Sequence, residues 1–268
     1  MGIFGWLFHQ FSQLGHRLGL RFFLYFCGMK NNIMKKNLAL SRLFIGLLLT
    51  FSVCAVAVVL RHVVKLDSEC FPSFALSGFI ILILAIVLIV AFRDKLDYRI
   101  AMPKFNQIWK PVLFGLLATI GINLLTGIVT LIISGRVEGH PALESTSVLQ
   151  YALFIFILAP VAEEHLFRGF LQNYLKPLGD KGITVFHRRI RLPVLIAALA
   201  FSLCHLGLLA SGVGAVFMIR TALFAFILGT IAGYYQEKYN NIVPAILVHM
   251  AGNLLGVLAV ILKHNLIP

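Results

Sequence analysis

The chain has 268 residues, 60% of them hydrophobic and only 12% charged, and carries a net charge of +13. Water-soluble domains are roughly half apolar and about a quarter charged, so this balance excludes an ordinary soluble enzyme and makes a lipid bilayer the expected solvent. The excess of base does not call for a nucleic-acid partner, because it sits in short segments flanking the hydrophobic runs, where the positive-inside rule and anionic lipid account for it.

In chain order, residues 1–41 read as an N-terminal segment. Phe4, Leu7, Phe8, Phe11, Leu14, Leu18 and Phe22 recur at helical spacing, with His9, Gln13, His16, Arg17 and Arg21 elsewhere around the wheel. That pattern predicts an interfacial amphipathic helix over 1–29, with Trp6 at the headgroup level. A cleaved signal peptide fits poorly, since no basic start precedes the apolar stretch. A start of translation at Met29 or Met34 is the other reading of this segment.

Residues 42–268 read as one multi-pass membrane domain. Apolar runs cover 44–60, 74–92, 112–134, 148–162, 194–210, 213–235 and 242–262. A spanning helix needs about 20 apolar residues, within a range of about 17–25. The 148–162 run meets that length if it continues into the more polar residues beyond it. The runs lack the period-2 alternation of a lipid-facing barrel, so the expected fold is all-α, a polytopic bundle of about seven membrane helices.

Lys30, Lys35, Lys36 and Arg42 precede the first run. Arg93, Lys95, Arg99, Lys104 and Lys110 follow the second, and Lys176, Lys181, Arg188, Arg189 and Arg191 follow the fourth. These segments read as cytoplasmic, and those around 67–69 and 137–144 as external. The connections 93–110 and 176–191 contain Pro103, Pro177 and Gly179 and read as loops. Gly115, Gly121 and Gly127 mark a face of the third helix suited to close packing. Cys27, Cys54, Cys70 and Cys204 form no C-x-x-C pair and read as small apolar residues rather than a disulfide framework.

Ionisable groups within the apolar runs are segregated. Ionisable side chains in a bilayer are costly and face a cavity or a partner. The first three runs hold no charge, whereas the rest of the chain holds Glu163, Glu164, Arg168, His205, Arg220, His249 and Asn253. In Glu163-Glu164-His165-Leu166-Phe167-Arg168, residues four apart share a helix face, which pairs Glu164 with Arg168 and points Glu163 elsewhere. Glu163 is then either a titratable base in a wet pocket or a solvated residue at a helix end. Phe201-Ser202-Leu203-Cys204-His205 places one histidine on the fifth run. His249-Met250-Ala251-Gly252-Asn253 places two hydrogen-bonding groups on one face of the seventh. If the fourth helix runs to about Leu175, Glu163 lies roughly 18 Å above its cytoplasmic end, His205 similarly far above Pro193, and His249 about 10 Å above Ile242. The three can meet in the cytoplasmic half of the membrane. Arg220 lies nearer the external side, where its long side chain can snorkel to the interface.

Glu163-Glu164-x-x-x-Arg168, Phe201-x-x-x-His205 and His249-x-x-x-Asn253, in this order on separate helices, resemble the three signatures of the CAAX-protease and bacteriocin-processing (CPBP, Abi) family of intramembrane glutamic endopeptidases. The resemblance covers about 148–262. It implies hydrolysis of a peptide bond in a peptide or protein substrate reached from the cytosolic side, in a multi-pass protein of the cell membrane and with no cofactor. Glu163 would activate water with help from His205, and His249 and Asn253 would stabilise the oxyanion. Glu164 and Arg168 would hold the site, with Arg168 and Phe201 structural or in contact with substrate. Two other readings remain open. One is a zinc metalloprotease using the same residues, although no H-E-x-x-H pair is present. The other is a non-enzymatic immunity, scaffold or transport protein.

Overall fold

The computed structural model describes residues 19–64, 71–137, 139, 143, 146–179, 181–207 and 212–266, with side chains from residue 37 on, Ser73, Ser134 and Leu266 excepted. Residues 1–18, the 67–69 segment, most of 137–144 and the end of the fifth run lie outside the described residues. The chain divides into two compact units, Met1–Ile45 and Gly46–Pro268.

Among the described residues there are seven helices and one hairpin, in the order α1 (Gly19–Val63), α2 (Ser73–Ala91), α3 (Asn106–Ser134), α4 (Val148–Gln172), β1 (Gly182–Val185), β2 (Arg188–Arg191), α5 (Leu192–Cys204), α6 (Ala215–Tyr239) and α7 (Val243–Leu266). Six of the helices are long and apolar enough to span a bilayer: Asn37–Val63 within α1, Phe74–Ala91, Asn106–Ile133, Val148–Gln172, Ala215–Tyr239 and Val243–Asn265. The protein is a multi-pass integral membrane protein. Among the described residues the apolar helix of the fifth run, with a final 3₁₀ turn, covers Leu192–Gly207. The fourth does continue past Ala162, as its length requires.

Helix α1 runs from Gly19 to Val63. The 176–191 connection is not simply a loop. Gly182–Val185 pairs antiparallel with Arg188–Arg191, Ile183 opposite Ile190 and Val185 opposite Arg188. Phe186 and His187 form its two-residue turn with φ of 46° and 63°, the positive pair that a tight hairpin needs and that Asn-Gly ordinarily supplies. Arg188 lies 4.9 Å from the Phe114 ring and 5.7 Å from the Tyr234 ring, which seats the hairpin on α3 and α6. At its base the Leu192 amide donates to the Lys181 carbonyl at 2.8 Å, starting α5.

Helix α4 is the axis of the bundle. All eight residues His165–Gln172 are buried, whereas α2 and α3 turn Ile83, Leu124, Leu125 and Ile132 outward, each at least 60% exposed, as lipid-facing side chains should be. Two stretches of α4, Tyr151–Leu158 and His165–Gln172, are wound as π-helix. Pro160 stands just beyond the first. Proline inside a helix lacks an N–H and clashes with the carbonyl four residues back, and a widened turn relieves both, so the π segment and the proline belong together. Carbonyls released by such turns need donors from neighbouring helices.

The connection between α2 and α3 is fastened to the start of α7. The Asn241 amide group donates to Ala101 O at 2.9 Å and accepts from Ala101 N at 3.2 Å, and the Ile242 amide donates to Arg99 O at 3.1 Å. Lys176 Nζ lies 2.7 Å from Asp97 Oδ2, and Asn240 Nδ2 donates to Asp97 Oδ1 at 3.1 Å. These bonds, from Lys176 first and Asn240 second, hold the Asp97 carboxyl below the usual carboxylate range.

Of the three glycines on α3, only Gly115 serves close packing. A Cβ there would stand 2.7 Å from the Val248 carbonyl oxygen of α7, whereas one at Gly121 or Gly127 would meet open space. Backbone cannot move aside as a side-chain tip can. Gly115→Val is therefore expected to lower stability by about 1–3 kcal/mol, the usual cost of overpacking, with Gly121→Val near neutral. Thermal unfolding of both variants in detergent checks this.

Candidate active site

Three helices converge on the polar centre. On α4, Glu164 and Arg168 are one turn apart, and Arg168 Nη1 donates to Glu164 Oε1 at 3.1 Å with both side chains essentially inaccessible. On α7, His249 Nδ1 donates to the same Glu164 oxygen at 2.9 Å. On α6, the Gly229 carbonyl accepts from Arg168 Nη2 at 2.8 Å. The pairing of Glu164 with Arg168 expected from their spacing thus forms, and Glu164 also holds His249.

Glu163 points away from that pair, with 24% of its side chain exposed against 1% for Glu164. Its Oε2 faces His249 Nε2 at 3.8 Å. Because the Nδ1 of His249 is committed to Glu164, the ring presents Nε2 toward Glu163. Two neighbouring carboxylates are thereby given different environments, one buried with a guanidinium and an imidazole on its Oε1, the other partly exposed.

Phe201 of α5 packs edge-on to three rings. Its ring lies 5.4 Å from His249, 4.7 Å from His205 and 5.1 Å from Phe167, and the Arg168 guanidinium stands 4.9 Å over it. His205 follows the last turn of α5. Its Nδ1 donates to the Phe201 carbonyl at 2.9 Å, so Nε2 is its free acceptor. Asn253 is held differently from its neighbours. Its Nδ2 donates to the Ile155 carbonyl, in the first π segment of α4, at 2.9 Å, and so ties α7 to α4. Glu163, Glu164, Arg168, Phe201 and His249 therefore stand in one cluster, and His205 joins it through Phe201. Asn253 lies one turn along α7 from His249 and is turned to backbone. Arg220 is remote from the cluster. Its guanidinium lies 5.7 Å from the Phe217 ring, beside a cavity of about 510 Å³ lined by Thr130 and Arg136. His165 donates from Nδ1 to the Val161 carbonyl at 2.6 Å.

The residues that sequence reasoning missed are those that receive the cluster. Gln172, one turn beyond Arg168, donates to the Gly233 carbonyl at 2.9 Å and to Gln236 Oε1 at 2.8 Å. A Cβ at Gly229 would come within 2.6 Å of Arg168 Nη2, and one at Gly233 within 2.6 Å of Gln172 Oε1. Absent side chains at these two positions let α4 reach the carbonyls of α6. The available signal was the Gly-x-x-x-Gly spacing of 229 and 233, matched to the same four-residue step between Arg168 and Gln172. Among the described residues, no group of three His, Cys, Asp or Glu side chains is disposed to hold a metal ion.

Residues 145–255 match the family model described as type II CAAX prenyl endopeptidase Rce1-like. Over this stretch the chain is similar to that family. The matched segment contains all three motifs and every member of the cluster, so the resemblance drawn from the motifs holds. It marks the protein as a membrane protease, a hydrolase. No curated protein and no solved structure matches the chain.

Removing one member of a buried ion pair strands the other charge and costs about 3–5 kcal/mol, whereas replacing both often costs little. Arg168→Met is expected to fall in that range. The double variant Glu164→Gln with Arg168→Met is expected to regain much of the loss, measured by unfolding in detergent.

Proposed function

We propose that this Rce1-like protein is a glutamate-dependent endopeptidase of the cell membrane, cleaving a peptide or protein substrate that enters from the cytosolic side. The observation that supports it best is the division of labour between adjacent carboxylates. Glu164 is consumed by Arg168 and His249, leaving Glu163 as the open carboxylate facing His249 Nε2. In this reading Glu163 takes a proton from water, and the oxygen attacks the scissile carbonyl. His205 assists through Nε2. His249, oriented by Glu164 as a carboxylate orients a catalytic imidazole, donates from a protonated Nε2 to the developing oxyanion. Asn253 has a second amide hydrogen beyond the one given to Ile155, and this serves the same oxygen. Preorganised donors in a water-poor site are worth more than in water, since they need no reorganisation as charge develops. Arg168 and Phe201 keep the histidines in register. The basic segments 93–110 and 176–191 support the orientation, because the positive-inside rule favours the cytoplasmic face for the ends of α2, α3, α4 and α5 that they connect.

Glu163→Gln keeps the shape and removes the base. It is expected to lower peptide hydrolysis by about 10²–10⁴-fold, the usual worth of general-base catalysis. His249→Ala should lose at least about 10²–10³-fold. Both variants should accumulate in the membrane like the unaltered protein. The assay compares precursor peptides in membranes carrying each form. Unchanged processing in both would refute peptidase action by these residues. Activity lost to a chelator and restored by zinc would replace the glutamate mechanism with a metal-dependent one.

A further inference from the structure

Cys54 lies in α1, nine residues before its end at Val63, and Cys204 is the last residue of α5. They are separated by 150 positions in sequence, yet their Sγ atoms stand 2.9 Å apart, both as free thiols and both half-buried. A second contact continues the seam. Val58, one turn beyond Cys54, lies within 3.8 Å of where a Cβ at Gly207 would be. The residue after Cys204 is His205, whose ring is bonded and packed to Phe201. The thiol pair therefore joins a helix of the otherwise apolar N-terminal part directly to the turn that carries a candidate catalytic histidine.

We propose that Cys54 and Cys204 form a redox site, in which a peroxide converts the two thiols to a disulfide that clamps α1 to the end of α5. One thiol gives up its proton as its sulfur attacks a peroxide oxygen; the O–O bond breaks, the proton leaves with the other oxygen as water, and a sulfenic acid remains. The second sulfur attacks that sulfenic sulfur, the S–S bond forms and a second water leaves. Two thiols and one hydrogen peroxide give one disulfide and two waters. The sulfurs together lose two electrons and the peroxide gains them. A dithiol reductant reverses the change by exchange. A disulfide is about 2.05 Å long, so closure from 2.9 Å shifts the chain beside His205 by under about 1 Å. Displacements of that size in a catalytic group can cost about 10²-fold in rate. The consequence for activity rests on the peptidase reading above; the disulfide itself does not.

The test uses the full chain in detergent, treated with stoichiometric hydrogen peroxide or with dithiothreitol, then alkylated and mapped by mass spectrometry. The expected result is a peptide containing Cys54 linked to one containing Cys204, released by reduction, with a higher melting temperature in the oxidised form. Peptide hydrolysis should fall about 10–100-fold on oxidation and return on reduction. Cys54→Ala should keep the reduced-state activity and lose the response to peroxide. Cross-links that run instead to Cys27 or Cys70, no cross-link at all, or an equal peroxide response in Cys54→Ala would overturn the proposal. If neither redox form hydrolyses peptide, the peptidase reading fails, while the mapped link and the melting shift still decide the redox site.

Discussion

A guanidinium buried inside a membrane protein is costly unless its charge is neutralised and its N–H groups find acceptors. Arg168, with no accessible surface, is the residue on which this structure depends. Its charge is met by Glu164, its second Nη by the carbonyl of Gly229, and its flat face by the Phe201 ring. Each of these partners sits on a different element. Satisfying one side chain therefore fixes α4 against both α5 and α6, and Glu164 extends the same network to His249 on α7.

The chemistry at the centre follows from that constraint. A carboxylate buried against Arg168 and an imidazole is closed to solvent. Its neighbour, rotated by about 100° on the helix, has no such obligation and reaches the more open side. A single ion pair thus separates two chemically identical side chains into a holder and a reactive group. Gln172 repeats the logic one turn further along with Gly233 and Gln236. The polar ladder between α4 and α6 therefore extends beyond the candidate active site and serves to position it.

The lipid-exposed helices obey a different rule. Where side chains face acyl chains, hydrophobicity alone suffices, and α2 and α3 show long apolar runs whose individual residues matter little. Specificity returns only where backbones touch, as at Gly115 against Val248. Gly121 and Gly127, which look the same in sequence, face open space. Composition does not distinguish a glycine that admits a neighbouring helix from one that merely faces lipid, because the neighbour is set by the packing of the whole bundle.

What the sequence determined alone was the part governed by local rules. Runs of about 20 apolar residues dictate spanning helices, and the four-residue step between Glu164 and Arg168 dictates their pairing whatever surrounds them. The three motifs also carried the family resemblance, because they are contiguous in sequence. Contacts between distant residues were decided only by the tertiary structure. Gly229 and Gly233 acquire meaning from side chains about sixty residues away, Asn253 from a carbonyl freed in a π-wound segment, and Cys54 from a helix end 150 residues on. The hairpin at 182–191 was hidden for a related reason. Its turn residues, Phe186 and His187, are held at positive φ in a hairpin braced by Arg188 against Phe114 and Tyr234 rather than by any turn preference of their own. Local pattern specifies which residues become helix; which faces meet depends on satisfying buried charge and backbone across the whole bundle.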